Sequence, residues 1–175
     1  MKNDFQEYQD VIDTVRKEFP CTNLREIAKG RASQAIPEAG KVIMPDGMGR
    51  DRFASVVVEE ICHVCLAPGP NKQDILKAIQ KDLECNRDMA YRVSNHAADI
   101  ICEFEIARRP SLVKLRMPKI REFLNTQFDS ATMKELQAII ARIYGLPYRT
   151  SELFEGVSDT MGTVQNRIEQ FVKIS

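Results

Sequence analysis

Arg50-Asp51-Arg52-Phe53-Ala54-Ser55-Val56-Val57-Val58-Glu59-Glu60-Ile61-Cys62-His63-Val64-Cys65-Leu66-Ala67 runs for eighteen residues without a breaker, until Pro68-Gly69-Pro70. Its apolar residues nearly encircle the axis, which predicts a helix buried in the middle of a domain rather than one lying on its surface. Two carboxylates and an imidazole inside such a run need partners or a metal ion to offset their desolvation. Glu59 and His63 stand four apart, so a helix puts them on one face, with Glu60 rotated by one position.

Outward from this helix, the preceding stretch of residues 20–50 is divided by Pro20, Gly30, Pro37, Gly40, Pro45, Gly47 and Gly49 into pieces suited to short strands. Lys41-Val42-Ile43-Met44 is the strongest strand candidate, with Leu24 to Ala28 and Ala35-Ile36 weaker. Before them, Phe5, Tyr8, Ile12, Val15 and Phe19 recur at helical spacing and end at Pro20. After the central helix, Asn71 is placed to cap a helix with Ile75, Leu76, Ile79 and Leu83 on one stripe. A further helix is expected from about Arg87 to Arg108, another from Asp129-Ser130 to Gly145, and a last one showing Met161, Val164, Ile168 and Phe171 on one face. The expectation is one helix-rich α+β domain over residues 1–175, with a small sheet on its N-terminal side.

Composition narrows the function. The 175 residues are 43% hydrophobic and 29% charged, enough for one ordinary core. Twenty-five basic and twenty-five acidic side chains cancel, which removes any bulk electrostatic case for nucleic acid or an anionic membrane. The opening MKNDFQEYQD lacks the apolar centre of a secretion signal and no run is long enough to cross a bilayer, so a cytoplasmic location is expected. Five cysteines are an odd and sparse set that fits free thiols. With only His63 and His96, any three-histidine site is excluded.

Glu59, Glu60 and His63 have the layout of a metallopeptidase helix, where ligands at i and i+4 hold zinc and the carboxylate at i+1 moves the proton. A third ligand is expected from Asn95-His96-Ala97-Ala98-Asp99-Ile100-Ile101-Cys102-Glu103. Asn95 and Asp99 share a face there, and Cys102 and Glu103 continue it one turn on. Asp99 is the expected ligand and Asn95 and His96 are expected around it, although spacing alone leaves open which of the three points inward. In its order, a strand (KVIMP), a helix (FASVVVEEICHVCLAPG) and a later helix (YRVSNHAADIICEFEIARR), the chain resembles zincin metallopeptidases of the gluzincin type over residues 41–108. The resemblance implies zinc or another divalent metal, Glu60 as general base, His63 as ligand, and a peptide or protein substrate. Glu59 stands where the motif H-E-x-x-H has its first His, which leaves an altered metal site or an inactive pseudoenzyme as alternatives.

Other motifs carry less. Cys62-His63-Val64-Cys65 is a C-x-x-C without the second close pair that a zinc ribbon needs, and it sits near a helix end rather than at a helix start as redox pairs do. Glu60-Ile61-Cys62-His63 is a single E-x-x-H, whereas di-iron bundles need two. The densest basic stretch, Arg108, Arg109, Lys114, Arg116, Lys119 and Arg121, reads as a solvated helix face and a connector. It is also the basis of an alternative function, a non-catalytic helical protein that binds protein or nucleic acid.

Overall fold

A computed structural model describes residues 1–66 and 72–147. Four short strands, β1 (Lys2–Asn3), β2 (Glu26–Gly30), β3 (Gln34–Ile36) and β4 (Lys41–Pro45), are joined in the order β1-β2-β4-β3. β1, β2 and β4 run parallel, with Ile27 opposite Val42, while β3 pairs antiparallel to β4 and forms one edge. β4 alternates buried Val42 and Met44 with half-buried neighbours, the period-two pattern of a strand with one face on a core. The two-residue β1 was not legible in the sequence, because two residues carry no period. Close backbone approach holds the sheet together at Gly30 and Gly40. A Cβ at Gly30 would lie 2.2 Å from Ile43 Cγ2, and one at Gly40, whose φ is +61°, would lie 1.9 Å from the Asn23 carbonyl oxygen.

Six helices complete the described chain: α1 (Gln9–Glu18), α2 (Arg50–Leu66), α3 (Lys72–Asp82), α4 (Arg87–Ala107), α5 (Pro110–Asn125) and α6 (Ala131–Ile143). The fold is the expected helix-rich α+β type. As its all-round apolar pattern predicts, α2 is the centre, packed against α1, β3, β4, α4 and α5. Phe53, Val57, Val58 and Ile61 of α2 are fully buried among Phe5, Ile12 and Val15 from the N-terminal helix region, Ile27, Val42 and Met44 from the sheet, and Ile106 and Leu112 from the C-terminal side. Each such side chain contributes about 1.5–3 kcal/mol. A smaller cluster, Ile120 with Leu136 and Ile140, joins α5 to α6.

The basic stretch is both connector and helix: Arg108 and Arg109 join α4 to α5, and Lys114 to Arg121 lie on α5, which has Pro118 inside it; the expectation of a solvated face fails at Arg116, which is buried. A proline has no N–H and disturbs the ladder around it, and the buried Ser55 on α2 meets the disturbance. Its Oγ accepts from the Lys119 N–H and donates to the Arg116 carbonyl, both at 3.0 Å. No helix among the described residues is long and apolar enough to cross a membrane. The Pro68-Gly69-Pro70 break, the Asn71 cap and the helix of Met161, Val164, Ile168 and Phe171 lie outside the described residues.

Candidate metal centre

The packing of α2 on α4 brings Glu59, His63 and Asp99 together, with one ligand atom of each within 4.8 Å of the others. The four-residue step from Glu59 to His63 is set by the helix; the approach of Asp99 is set by the contact of the two helices. His63 Nε2 lies 3.2 Å from Asp99 Oδ1, and His63 Nδ1 lies 3.5 Å from Cys102 Sγ. Cys102 thus holds Nδ1, the arrangement that orients a ligating imidazole, and leaves Nε2 on the Asp99 side of the cluster as the nitrogen that can ligate. Burial by itself would lower the His63 pKa, but the hydrogen bond to Asp99 and the charges of Glu59 and Asp99 more than offset it and hold it above the ordinary value.

Glu59 faces a second charged group as well. Arg116, only 4% exposed, places Nη2 2.6 Å from Glu59 Oε2. Its Nε donates to Glu103 Oε1 at 3.0 Å, its Nη2 contacts the same oxygen, and its Nη1 donates to the Ser55 carbonyl at 2.7 Å. Tyr144 of the turn after α6 donates its hydroxyl to Glu103 Oε2 at 2.6 Å. Desolvation works against a charged Arg116, yet the carboxylates of Glu59 and Glu103 outweigh it and keep the guanidinium charged. Burial pushes the Glu59 carboxyl up and Arg116 counters it. Glu60 is half-buried at a cleft wall, and that desolvation, with the Glu59 charge beside it, pushes its carboxyl up to about 7.

These groups fit a divalent cation. The donors are one imidazole nitrogen and two carboxylate oxygens, a set used by zinc and by harder divalent ions. Arg116 takes Glu59 Oε2, so Oε1 remains to ligate. Glu59, Asp99 and Glu103 face two basic groups, Arg116 and His63, and a divalent cation at the cluster would stand in for the proton that His63 gives up on ligating.

A cleft of about 450 Å³ opens beside this cluster, between the β4–α2 loop, α2 and α5. Ser33, Gly47, Arg52, Glu59, Glu60 and Lys119 are among its lining residues; His63 and Asp99 are not, so Glu59 is the residue shared by cleft and cluster.

Asp99 is thus the α4 residue that meets Glu59 and His63. Asn95 is exposed and His96 is half-buried, and neither belongs to the cluster. Of the basic stretch, Arg116 is no surface residue at all. Arg108 and Arg109 pair with Glu105, Arg109 also stacks on Phe19, and Lys119 pairs with Glu122. The structure gives no ion pair within the described residues for Lys114 and Arg121. Of the C-x-x-C thiols, Cys62 is buried and its Sγ donates to the Cys102 carbonyl at 3.8 Å, while Cys65 is half-buried. All five cysteines are free. Sequence reasoning missed that Arg116, Glu103 and Tyr144 close around Glu59; the available signal was an isolated Glu103 on the ligand-bearing face of α4. No protein-family model, curated protein or solved structure matches the chain.

Proposed function

We propose that this chain is a zincin-type domain that binds a divalent metal ion through Glu59, His63 and Asp99 and acts on peptides. The observation that carries the reading is the meeting of these three donors from two helices, next to a carboxyl group, Glu60, that faces an open cleft. A bound ion supplies Lewis acidity toward a peptide carbonyl. The chain's own residues do the rest. Glu60 takes a proton from the attacking water at its carboxylate and returns it to the leaving amine nitrogen. Cys102 holds the His63 ring in one orientation through Nδ1. β3 is an edge strand of the sheet, the kind of element to which an extended peptide can add.

One observation favours a second, non-hydrolytic form of the same reading. The carboxylate of Glu59, with Arg116 beside it, gives a less acidifying ligand set than neutral imidazoles, so the domain would bind metal and peptide without turning substrate over. An interaction protein working through residues 108–121 has less support, because Arg116 is buried and Arg108, Arg109 and Lys119 have partners within the chain.

Calorimetric titration of tag-free, chelator-treated protein with zinc and manganese tests the metal. We expect one site per chain that is lost in His63→Ala and Asp99→Ala. A protein whose heat signal and stability ignore both ions and chelator rejects the reading. Peptide turnover abolished by Glu60→Gln then separates the hydrolytic form from the binding form.

A further inference from the structure

Glu59 is the residue on which the open cluster and the buried Arg116 network meet, and its two oxygens are divided between them. Oε2 has Arg116 Nη2 2.6 Å away. The guanidinium is fixed there from three helices: Nε and Nη2 are on Glu103 of α4, Nη1 is on the Ser55 carbonyl of α2, and the residue itself, on α5, is 4% exposed. Its charge at Oε2 opposes a divalent ion sharing that oxygen, and inside the protein the repulsion is screened far less than in water. Glu59 is thereby left with one oxygen, Oε1, for the cluster that His63 and Asp99 complete.

Resting on the metal reading above, we infer that Arg116 is a positioning residue that holds Glu59 to one-oxygen ligation and so sharpens the choice of zinc over manganese. His63 Nε2, one oxygen each from Glu59 and Asp99, and a water make the four-coordinate shell that zinc takes. Manganese binds most weakly in the order of such ions and takes an octahedral shell richer in oxygen. A second Glu59 oxygen would help manganese to fill that shell and would give a four-coordinate zinc nothing. Zinc therefore leads in any site of this kind, and Arg116 widens the gap.

The test is competitive calorimetric titration of the full chain with zinc and manganese. It compares the parent, Glu103→Gln, and Glu103→Gln combined with Arg116→Met, where the buried carboxylate loses its charge together with its partner. We expect the zinc-to-manganese affinity ratio to fall about tenfold in the double variant and to stay within about twofold of the parent in Glu103→Gln, where Arg116 still reaches Glu59. Losing the Arg116 charge by itself would raise both affinities alike, so the ratio separates the number of oxygens from the charge. A ratio unchanged in the double variant overturns the inference, as does an equal fall in Glu103→Gln alone. Cobalt substitution of the parent needs no variant: it should show the intense visible bands of a four-coordinate ion. The weak bands of six-coordinate cobalt would overturn the inference even if the double variant failed to fold. A parent that binds neither zinc nor manganese sinks the metal reading and this inference with it, whereas zinc bound with an unaltered ratio sinks only the role of Arg116.

Discussion

Two charged clusters share α2 and α4, and they differ in who completes them. Around Arg116, the protein supplies everything: Glu103, Tyr144, Glu59 and the Ser55 carbonyl occupy the guanidinium, and both Arg116 and Glu103 are less than 5% exposed. One turn further along α2, His63 and Asp99 are only partly buried, at 18% and 37% side-chain exposure, and the three donors there have no protein cation at their centre. The first is a closed structural joint. The second has the charge and access of a place where something arrives from solution.

The sharpest way to break this comparison is to remove the joint's cation. Arg116→Met leaves Glu103 buried without a counter-charge and should cost about 3–5 kcal/mol, read as a lower urea midpoint. A loss as small as that of a surface substitution would mean that Glu103 reaches solvent.

The open cluster should respond to pH instead. In metal-free protein the Glu60 carboxyl titrates near 7, against an ordinary value of 4.5, so the folded state holds its proton more tightly. The stabilisation this gives is complete below about pH 4.5 and is lost as pH rises toward 7. Glu60→Gln removes that dependence. The variant should match the parent at pH 4.5 and exceed it by about 2–3 kcal/mol at pH 8, measured by denaturant unfolding in chelator. Parallel pH profiles for the two proteins would contradict the burial of Glu60.

Cys102→Ala tests whether α4 orients His63 as well as receiving it. Losing the partner of Nδ1 should weaken metal binding about tenfold, beside a loss of about 1 kcal/mol in stability from truncating a buried core thiol. Unchanged affinity would mean that Cys102 does not orient the ring. Smallest of all, Arg108→Gln removes an exposed pair with Glu105 and should shift stability by less than about 0.5 kcal/mol. A larger loss there would show that the surface of this helix end is more tightly coupled to the core than its exposure implies.

Much of the frame was legible because periodicity is local. α2 is apolar all round and is central; β4 alternates and lies on the core; Gly and Pro mark the pieces of the sheet. The basic segment was read as a solvated helix face and connector, and Arg116 departs from that for an equally physical reason: Glu59 and Glu103 hold its guanidinium inside the fold. Neither carboxylate lies on its own helix. The thiols read as expected: all five are free, and Cys62 is buried with its Sγ on the Cys102 carbonyl.

What the amino-acid order determined by itself is everything that follows from 3.6 residues per turn: that Glu59 and His63 share a face, that Glu60 sits beside them, and that Asp99 and Cys102 lie one turn apart on another helix. Which α4 side chain would meet that face, and that an arginine from α5 would take half of Glu59, was decided only by the crossing of three helices. Axial offset and rotation between packed helices come from the fit of many side chains over the whole core, and no short stretch of sequence contains them.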